Sequence, residues 1–388
     1  MPLTTQHRRL ILVLGIAIAI GPMSIDMYLP ALPTLAKELA ASQGEAQFTL
    51  SAYFAGLVLG QLLYGPLIDR YGRKRPLYAG LALYILASLG CALAWRIEAL
   101  MSFRALQALG GGSAIVVSRA VVRDLFEPKA AAKVFALLML VMGLAPILAP
   151  LLGGWILVGF GWRWIFAALM LFAMGTLLAT WRMLPETGKP RGGPRGGYGS
   201  VFSKRIFLSN ALGGALAQAG MFAYIAAAPF VFIELFKVPA EHFGWLFGAN
   251  AFGLIAATQL NGRLLDHFTL EQVLRGALLT HAVAGLALLA VVLIGRGGLP
   301  AILVPLFLCI ASMGLVFPNS TALAMAPFEN NAGTAAAALG MVQYGAAALS
   351  AAVAGSWHDG TALPMAAVLA CCALGANVML RVLAPKSA

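Results

Sequence analysis

The chain is poor in charged residues, cysteine and histidine. Asp, Glu, Lys and Arg make up 10% of its 388 residues, whereas soluble domains contain about 25%, so the composition excludes an ordinary soluble domain. The four cysteines lie inside apolar runs, which excludes a disulfide framework and a cysteine-based metal site. The five histidines are scattered singly, which argues against a clustered catalytic or metal site. The sequence has no G-x-x-x-x-G-K-[ST] loop, which argues against ATP as an energy source.

Apolar residues make up 61% of the chain instead, and the mean hydropathy is +0.88. Twelve apolar segments are long enough to span a bilayer, which takes about 20 residues. The runs lack the alternating pattern of a membrane barrel, so the sequence predicts twelve transmembrane helices. The segments are 10–33, 48–68, 76–95, 100–122, 134–158, 164–184, 206–236, 243–265, 273–294, 301–324, 333–357 and 363–383. The first run continues past Asp26 to Pro33, too long for a cleaved signal peptide.

A segment rich in Gly, Pro and Arg separates the sixth span from the seventh. It predicts a flexible linker at 185–205 between six-helix halves at 1–184 and 206–388. The halves share a pattern, since four residues recur at a constant offset: Gly56, Leu57, Gly65 and Asp69 recur as Gly253, Leu254, Gly262 and Asp266. We therefore expect a pseudo-symmetric pair of halves with the substrate site at their interface.

The basic residues are distributed unequally across the predicted membrane. Of 26 Lys and Arg, twenty fall on the side of the termini, five fall on the opposite side and Arg104 lies within a span. This bias predicts a multi-pass protein of the inner (plasma) membrane with both termini in the cytoplasm. The net charge of +12 then reflects topology and embedding in the lipid bilayer. We do not expect nucleic-acid binding, which would concentrate charge on one face among aromatic residues.

A charged turn follows the second predicted span: Gly65-Pro-Leu-Ile-Asp69-Arg70-Tyr-Gly72-Arg73-Lys74-Arg75. The pattern G-x-x-x-D-R-x-G-R-K resembles the signature loop of the major facilitator superfamily. In that interpretation Gly65 permits close approach to a neighbouring helix, and Asp69 pairs with an arginine or a helix N-terminus. The basic residues from Arg73 onward anchor to lipid headgroups. The segment would act as a cytoplasmic gate, and a solvated basic loop is the alternative.

The fourth and fifth spans carry two further patterns. Arg104-x-x-Gln107 resembles a superfamily motif, although Ala108 stands where Gly is usual. Pro150-x-x-Gly153-Gly154 resembles the helix motif of the superfamily's antiporters, with alanine at two of its glycine positions. Small residues would let the fifth span pack against the other half while Pro150 bends it, sealing against proton leak. Ordinary close packing is the alternative.

The first span carries the most specific pattern. Ser24-Ile-Asp-Met-Tyr-Leu-Pro-Ala-Leu-Pro33, Leu50-Ser-x-Tyr53 and Gly60-Gln-x-x-Tyr-Gly-Pro66 resemble the bicyclomycin- and chloramphenicol-resistance (Bcr/CflA) branch of drug/proton antiporters. The resemblance implies a monomer without a cofactor that uses the proton gradient to export small amphipathic drugs or toxic metabolites. An exporter or permease for an endogenous metabolite is the main alternative, and a membrane enzyme or channel is a remote one.

Ionisable residues deep in a span are costly unless they are paired or functional. Asp26 is the only acidic residue that lies well inside a predicted span of the first half. Helix geometry places Asp26 about 24 Å and Arg104 about 22 Å from the cytoplasmic boundary of the hydrocarbon, so the two can lie at the same depth. We therefore predict that Asp26 carries the proton beside Arg104, with a permanent structural pair as the alternative. We expect no catalytic residue. Further polar residues are candidates for a drug-sized cavity: Tyr28, Tyr53, Gln61, Gln107, Gln218, Tyr224 and Gln343.

Overall fold

The computed structural model describes residues 5–126, 128–188, 198–328 and 332–383, and this part of the chain is helical without strands. Twelve helical segments in it are long and apolar enough to span a membrane, which confirms the predicted fold class. The helices are α1 (Thr5–Asp26), α2 (Leu32–Glu38), α3 (Gln43–Tyr71), α4 (Lys74–Ala92), α5 (Ile97–Leu125), α6 (Pro128–Phe160), α7 (Arg163–Met183), α8 (Tyr198–Phe202), α9 (Arg205–Pro229), α10 (Ala240–Leu264), α11 (Leu270–Ile294), α12 (Gly298–Met325), α13 (Ala332–Ser356) and α14 (Leu363–Val382).

The first span is broken near its middle. Helix α1 ends at Asp26, and a 3-10 turn at Leu29–Ala31 leads into α2. Pro30 and Pro33 have no N–H group, so the carbonyls of Asp26 and Leu29 cannot receive the usual bond from four residues ahead. The chain forms a tighter turn instead, in which the Ala31 N–H donates to the Tyr28 carbonyl at 3.0 Å. The break thus begins at the residue that the sequence singles out as the proton carrier.

The seventh span changes helix type near its end. After Pro229, α9 continues as a π-helical segment, Phe230–Leu235. At its end the Phe236 N–H donates to the Val231 carbonyl, five residues back, at 3.0 Å. Wider turns of this kind are rare and occur often at functional sites.

The two sets of six spans repeat one packing pattern. In the first set α1 packs on α6 and α7, α3 on α5, and α4 on α5 and α7. In the second set α9 packs on α13 and α14, α10 on α12, and α11 on α12 and α14. The repeat that pairs Gly56 with Gly253 follows this pattern, because Gly56 contacts α5 at Ala105 and Gly253 contacts α12 at Phe307.

The division at 185–205 stays a prediction, because residues 189–197 lie outside the described ranges. Within the predicted linker the structure describes the short helix α8.

The halves meet along α3 with α13 and along α6 with α10. We call the face where α3 ends and α4 begins the linker face, and the opposite one the far face. At the far face the halves are in backbone contact, since a Cβ on Gly44 would collide with the Gly355 carbonyl. Helix α10 is buried at Phe243 and Phe247 but exposed at 258–260. The halves are therefore in close backbone contact at the far face.

Candidate functional site

Asp26 lies at the end of α1, where the first span breaks, and is 4% exposed. Among the described residues its side chain has neither an ion-pair nor a hydrogen-bond partner. The phenol groups of Tyr53 in α3 and Tyr224 in α9 lie within electrostatic range of it. A tyrosine from each half of the protein therefore interacts electrostatically with the acid.

Arg104 does not pair with Asp26, which corrects the expectation from sequence. Its fully buried guanidinium donates from Nη1 to Gln107 Oε1 at 2.6 Å. The guanidinium carbon also lies 4.2 Å from the ring centre of Tyr53 and 4.7 Å from that of Tyr28. Position along a helix gives the depth of a side chain but not its direction, and Arg104 points into an aromatic cage. Tyr53 interacts with both Arg104 and Asp26.

The polar residues predicted to line a cavity divide into separate groups. Tyr28 and Gln107 join Arg104 in the core of the first half, where the Tyr28 hydroxyl hydrogen-bonds to Thr49 Oγ1 at 2.8 Å and Gln107 Nε2 donates to Ser88 Oγ at 2.8 Å. Tyr224 accepts a hydrogen bond from Asn250 Nδ2 at 3.0 Å.

Gln61 lies beside Gly340 of α13, at the interface between the halves. Its Nε2 and the Oε1 of Gln218 are buried without a hydrogen-bond partner in the described part of the chain. Gln343 is half-buried on α13. No hydrogen bond or ion pair in the described ranges joins Gln61, Gln218 or Gln343 to Arg104.

The predicted gate loop is mostly helical. Helix α3 runs to Tyr71, so Gly65, Asp69 and Arg70 lie on its last two turns, and the chain turns at Gly72 with φ +81°. A Cβ on Gly65 would meet no atom within 4 Å, so the expected close approach at this glycine is wrong.

Arg73 is the centre of the charged cluster at the linker face. Its Nε donates to Asp124 Oδ2 at 2.8 Å, and its Nη1 lies 3.3 Å from Asp69 Oδ1. The Arg73 side chain is 9% exposed, the Asp124 side chain 20% and the Asp69 side chain 64%. Arg73 is therefore not the headgroup anchor that the sequence predicts, and Asp124 at the end of α5 is its stronger partner.

Glu186, which the sequence analysis missed, joins the same cluster from the segment after α7. Its carboxylate accepts from the backbone N–H groups of Arg73 at 2.7 Å and Lys74 at 3.1 Å. Partial burial alone would raise the pKa of Glu186, but these N–H groups, that of Gly188 and the Arg73 charge hold it below its ordinary value. The contact caps the start of α4. A single acid beside a Gly- and Pro-rich segment gives no sequence signal for this role.

Gly153 and Gly154 of the fifth span lie at two places where another segment of backbone packs closely against α6. A Cβ on Gly153 would collide with the Met27 carbonyl at the break of the first span. A Cβ on Gly154 would lie 2.8 Å from the Ala240 carbonyl oxygen at the start of α10, in the other half. Pro150 lies within α6, one turn before Gly153. Helix α6 therefore contacts both the break and the opposite half at neighbouring residues.

An ion pair joins the halves at the far face. Lys37 Nζ, at the end of α2, lies 2.9 Å from Glu234 Oε1 on the π-helical segment. Gln43 Nε2, at the start of α3, donates to the other carboxylate oxygen of Glu234. These residues border a pocket of about 520 Å³ that also contains Phe230 and His358. None of the residues predicted from sequence to line a cavity borders it.

Comparison with known proteins places these features in a family. A family model described as Major Facilitator Superfamily matches residues 14–351. The MFS-type transporter YdgK of Bacillus subtilis is 34% identical over 377 residues, covering 95% of this chain and 93% of YdgK.

Two relatives carry resistance names. The bicyclomycin resistance protein homolog of Haemophilus influenzae is 30% identical, covering 93% of this chain and 92% of its own length. The chloramphenicol resistance protein of Pseudomonas aeruginosa is 30% identical, covering 82% and 77%. They confirm the resemblance to the bicyclomycin- and chloramphenicol-resistance branch.

A solved D-xylose-proton symporter superposes with a TM-score of 0.78 at 16% identity and covers 98% of each chain. At that identity the likeness establishes the fold.

Proposed function

Because the chain belongs to the major facilitator superfamily, we propose that it exports small amphipathic drugs or toxic metabolites in exchange for protons. It is a membrane transporter rather than an enzyme. The resistance names of relatives that align over most of this chain support a drug-like substrate.

The environment of Asp26 is the observation that carries the proton-coupling proposal. A carboxylate buried at this depth without a counter-ion is costly, whereas the neutral acid is tolerated. Gaining or losing the proton therefore changes the relative energies of conformations that expose Asp26 differently. Tyr53 and Tyr224 come from opposite halves, so a relative motion of the halves changes the surroundings of the acid.

Alternating access is the proposed motion. In this structure the halves touch at the far face through Gly44 with Gly355, Gly154 with Ala240, and Lys37 with Glu234. Rocking one half against the other would break these contacts and open the site toward the far face. The cavity would then be formed between the halves.

The proposed location is the inner membrane, with the linker face in the cytoplasm and the protein acting as a monomer. The excess of Lys and Arg on the side of the termini supports this orientation. The proton gradient would supply the energy, and no cofactor is required by the proposed exchange.

Transport into proteoliposomes tests the proposal. A panel that includes chloramphenicol and bicyclomycin is assayed for uphill transport driven by a pH gradient, with and without an uncoupler. The wild-type protein should concentrate at least one compound only while the gradient lasts. If no drug is moved but an endogenous metabolite is, the substrate part of the proposal is wrong.

Variants of Asp26 test the coupling part separately. Asp26→Asn mimics the protonated acid, so gradient-driven transport should be lost while exchange of a neutral substrate persists. Asp26→Glu should retain part of the activity with a shifted pH profile. Asp266→Asn, an exposed acid, is the matched control and should behave like the wild type. Uphill transport by Asp26→Asn with a normal pH profile would show that the proton uses another residue.

A further inference from the structure

A cleft of about 390 Å³ opens between α11 and α14, and Arg275, Asn377, Leu380 and Arg381 line it. Arg275 is the sixth residue of α11, and Arg381 lies in the last turn of α14. Both helix ends reach the linker face. The cleft therefore presents two guanidinium groups where these spans leave the hydrocarbon.

The positive charge of the cleft is only weakly compensated. Arg275 Nη2 lies 3.9 Å from Glu271 Oε2, and the two side chains are 71% and 67% exposed, so the pair contributes little. Arg381 has no ion-pair partner within the described ranges. Asn377 Nδ2 donates to the carbonyls of Leu278 and Ala373 at 2.9 Å and 3.0 Å. Asn377 thus links α14 to α11 through a hydrogen bond at the cleft.

The surface beyond the cleft is apolar. Along α11 the exposed apolar side chains include Leu279, Val283 and Leu286, and along α14 they include Leu374 and Val378. Residues at these spacings share one helix face. Because α11 and α14 pack against each other, the two faces leave the cleft together and run toward the membrane interior.

We propose that this cleft binds an anionic phospholipid. The phosphate group would lie between Arg275 and Arg381, because guanidinium groups bind phosphate through paired hydrogen bonds. The acyl chains would follow the apolar faces of α11 and α14. Basic pockets between spans at the cytoplasmic side suit such headgroups. Free phosphate shares the headgroup chemistry but has no acyl chains, so a lipid should bind far more tightly.

Native mass spectrometry of the full-length, delipidated protein in detergent tests the site, with phosphatidylglycerol, phosphatidylcholine and inorganic phosphate as probes. Phosphatidylglycerol should bind the wild type in preference to phosphatidylcholine. Replacing one arginine by alanine should weaken binding about fivefold, and Arg275→Ala with Arg381→Ala about thirtyfold. Arg263→Ala is the matched control, because Arg263 is an exposed basic residue in the last turn of α10 outside the cleft.

A second variant keeps both charges. Leu380→Trp should fill the cleft and weaken phosphatidylglycerol binding, and it decides the question if the double variant does not fold. The proposal is overturned if the folded double variant or Leu380→Trp binds phosphatidylglycerol like the wild type, or if Arg263→Ala is equally impaired. Complete displacement of the lipid by millimolar inorganic phosphate would instead indicate a free-anion site. None of these measurements depends on transport.

Discussion

Lys37 and Glu234 form an ion pair of 2.9 Å between the first and second halves of the protein. The Lys37 side chain is 76% exposed and that of Glu234 is 18% exposed, so the pair lies at the rim of the far-face contact. Glu234 also accepts a hydrogen bond from Gln43. One carboxylate therefore holds two residues of the opposite half.

Glu234→Gln should loosen the far face, because the substitution removes the charge that attracts Lys37. Loss of a part-exposed pair worth about 1 kcal/mol would raise the population of far-face-open molecules up to about fivefold. Ala354→Cys, in the pocket beside Glu234, reports this opening through its labelling rate with a membrane-impermeant maleimide. The native cysteines are first replaced by serine.

Glu38→Gln is the matched control for Glu234→Gln. It breaks the far-face pair between Arg163 and Glu38, 3.0 Å apart, which lies within the first half. Labelling should remain at the parent rate. Equal labelling in both variants would mean that Lys37 and Glu234 do not hold the halves together.

Gly153→Ala and Gly154→Ala should destabilise the protein and slow transport. A methyl group at either position meets backbone atoms, and overpacking of this kind costs about 1 to 3 kcal/mol. Gly159→Ala, on the same helix with no atom within 4 Å of its Cβ position, should be neutral or slightly stabilising. Thermal unfolding in detergent and transport in proteoliposomes measure both effects. Three indistinguishable variants would argue against a role for close packing of α6.

Asp124→Asn should be more harmful than Asp69→Asn. Asp124 is the closer and less exposed partner of Arg73. Removing its charge leaves the buried guanidinium without its main partner, which should lower the free energy of unfolding by about 2 kcal/mol. The exposed Asp69 should contribute under about 1 kcal/mol. Thermal stability and transport rate of the two variants give the order. The reverse order would support the gate role that the sequence predicts for Asp69.

Glu186 should make the thermal stability of the protein depend on pH at acidic pH. Its folded pKa lies below the ordinary value of 4.5, so its stabilising effect is complete above that value and is lost as the pH falls through the folded pKa. Glu186→Gln should therefore be less stable than the wild type near neutral pH, by about 1 kcal/mol as for a lost helix cap. The difference should shrink below about pH 4.5. Thermal unfolding of both proteins across this range measures it, and a constant difference would exclude the cap.

The sequence predicts the twelve spans because each is a long apolar run, a signal that needs no knowledge of tertiary contacts. It also identifies Gly153 and Gly154, since small residues in a span indicate close packing. The end of α3 is different. The charged residues after Gly65 suggest a loop, but α3 continues to Tyr71 and turns only at Gly72, where the positive φ suits glycine.

The long-range pairs could not be predicted from one sequence. Lys37 and Glu234 meet only because the two halves dock, and Glu186 reaches Arg73 only because α7 returns beside α4. Arg104 illustrates the same limit at short range. Its depth follows from helix geometry, but the aromatic cage that turns it away from Asp26 is formed by side chains from α3 and the segment after α1.

The wide turn that carries Glu234 has a consequence for the direction in which this side chain points. A π-helical bond pattern accommodates one more residue per turn than an α-helical one, and one residue corresponds to a rotation of about 100°. If the segment Phe230–Leu235 wound into a regular α-helix while α9 before it stayed in place, Glu234 would turn by about 100° and shift by about 1.5 Å along the helix axis, away from Lys37. Rewinding of this short segment would thus break the ion pair between the halves, while the backbone contacts of Gly44 with Gly355 and of Gly154 with Ala240 remain.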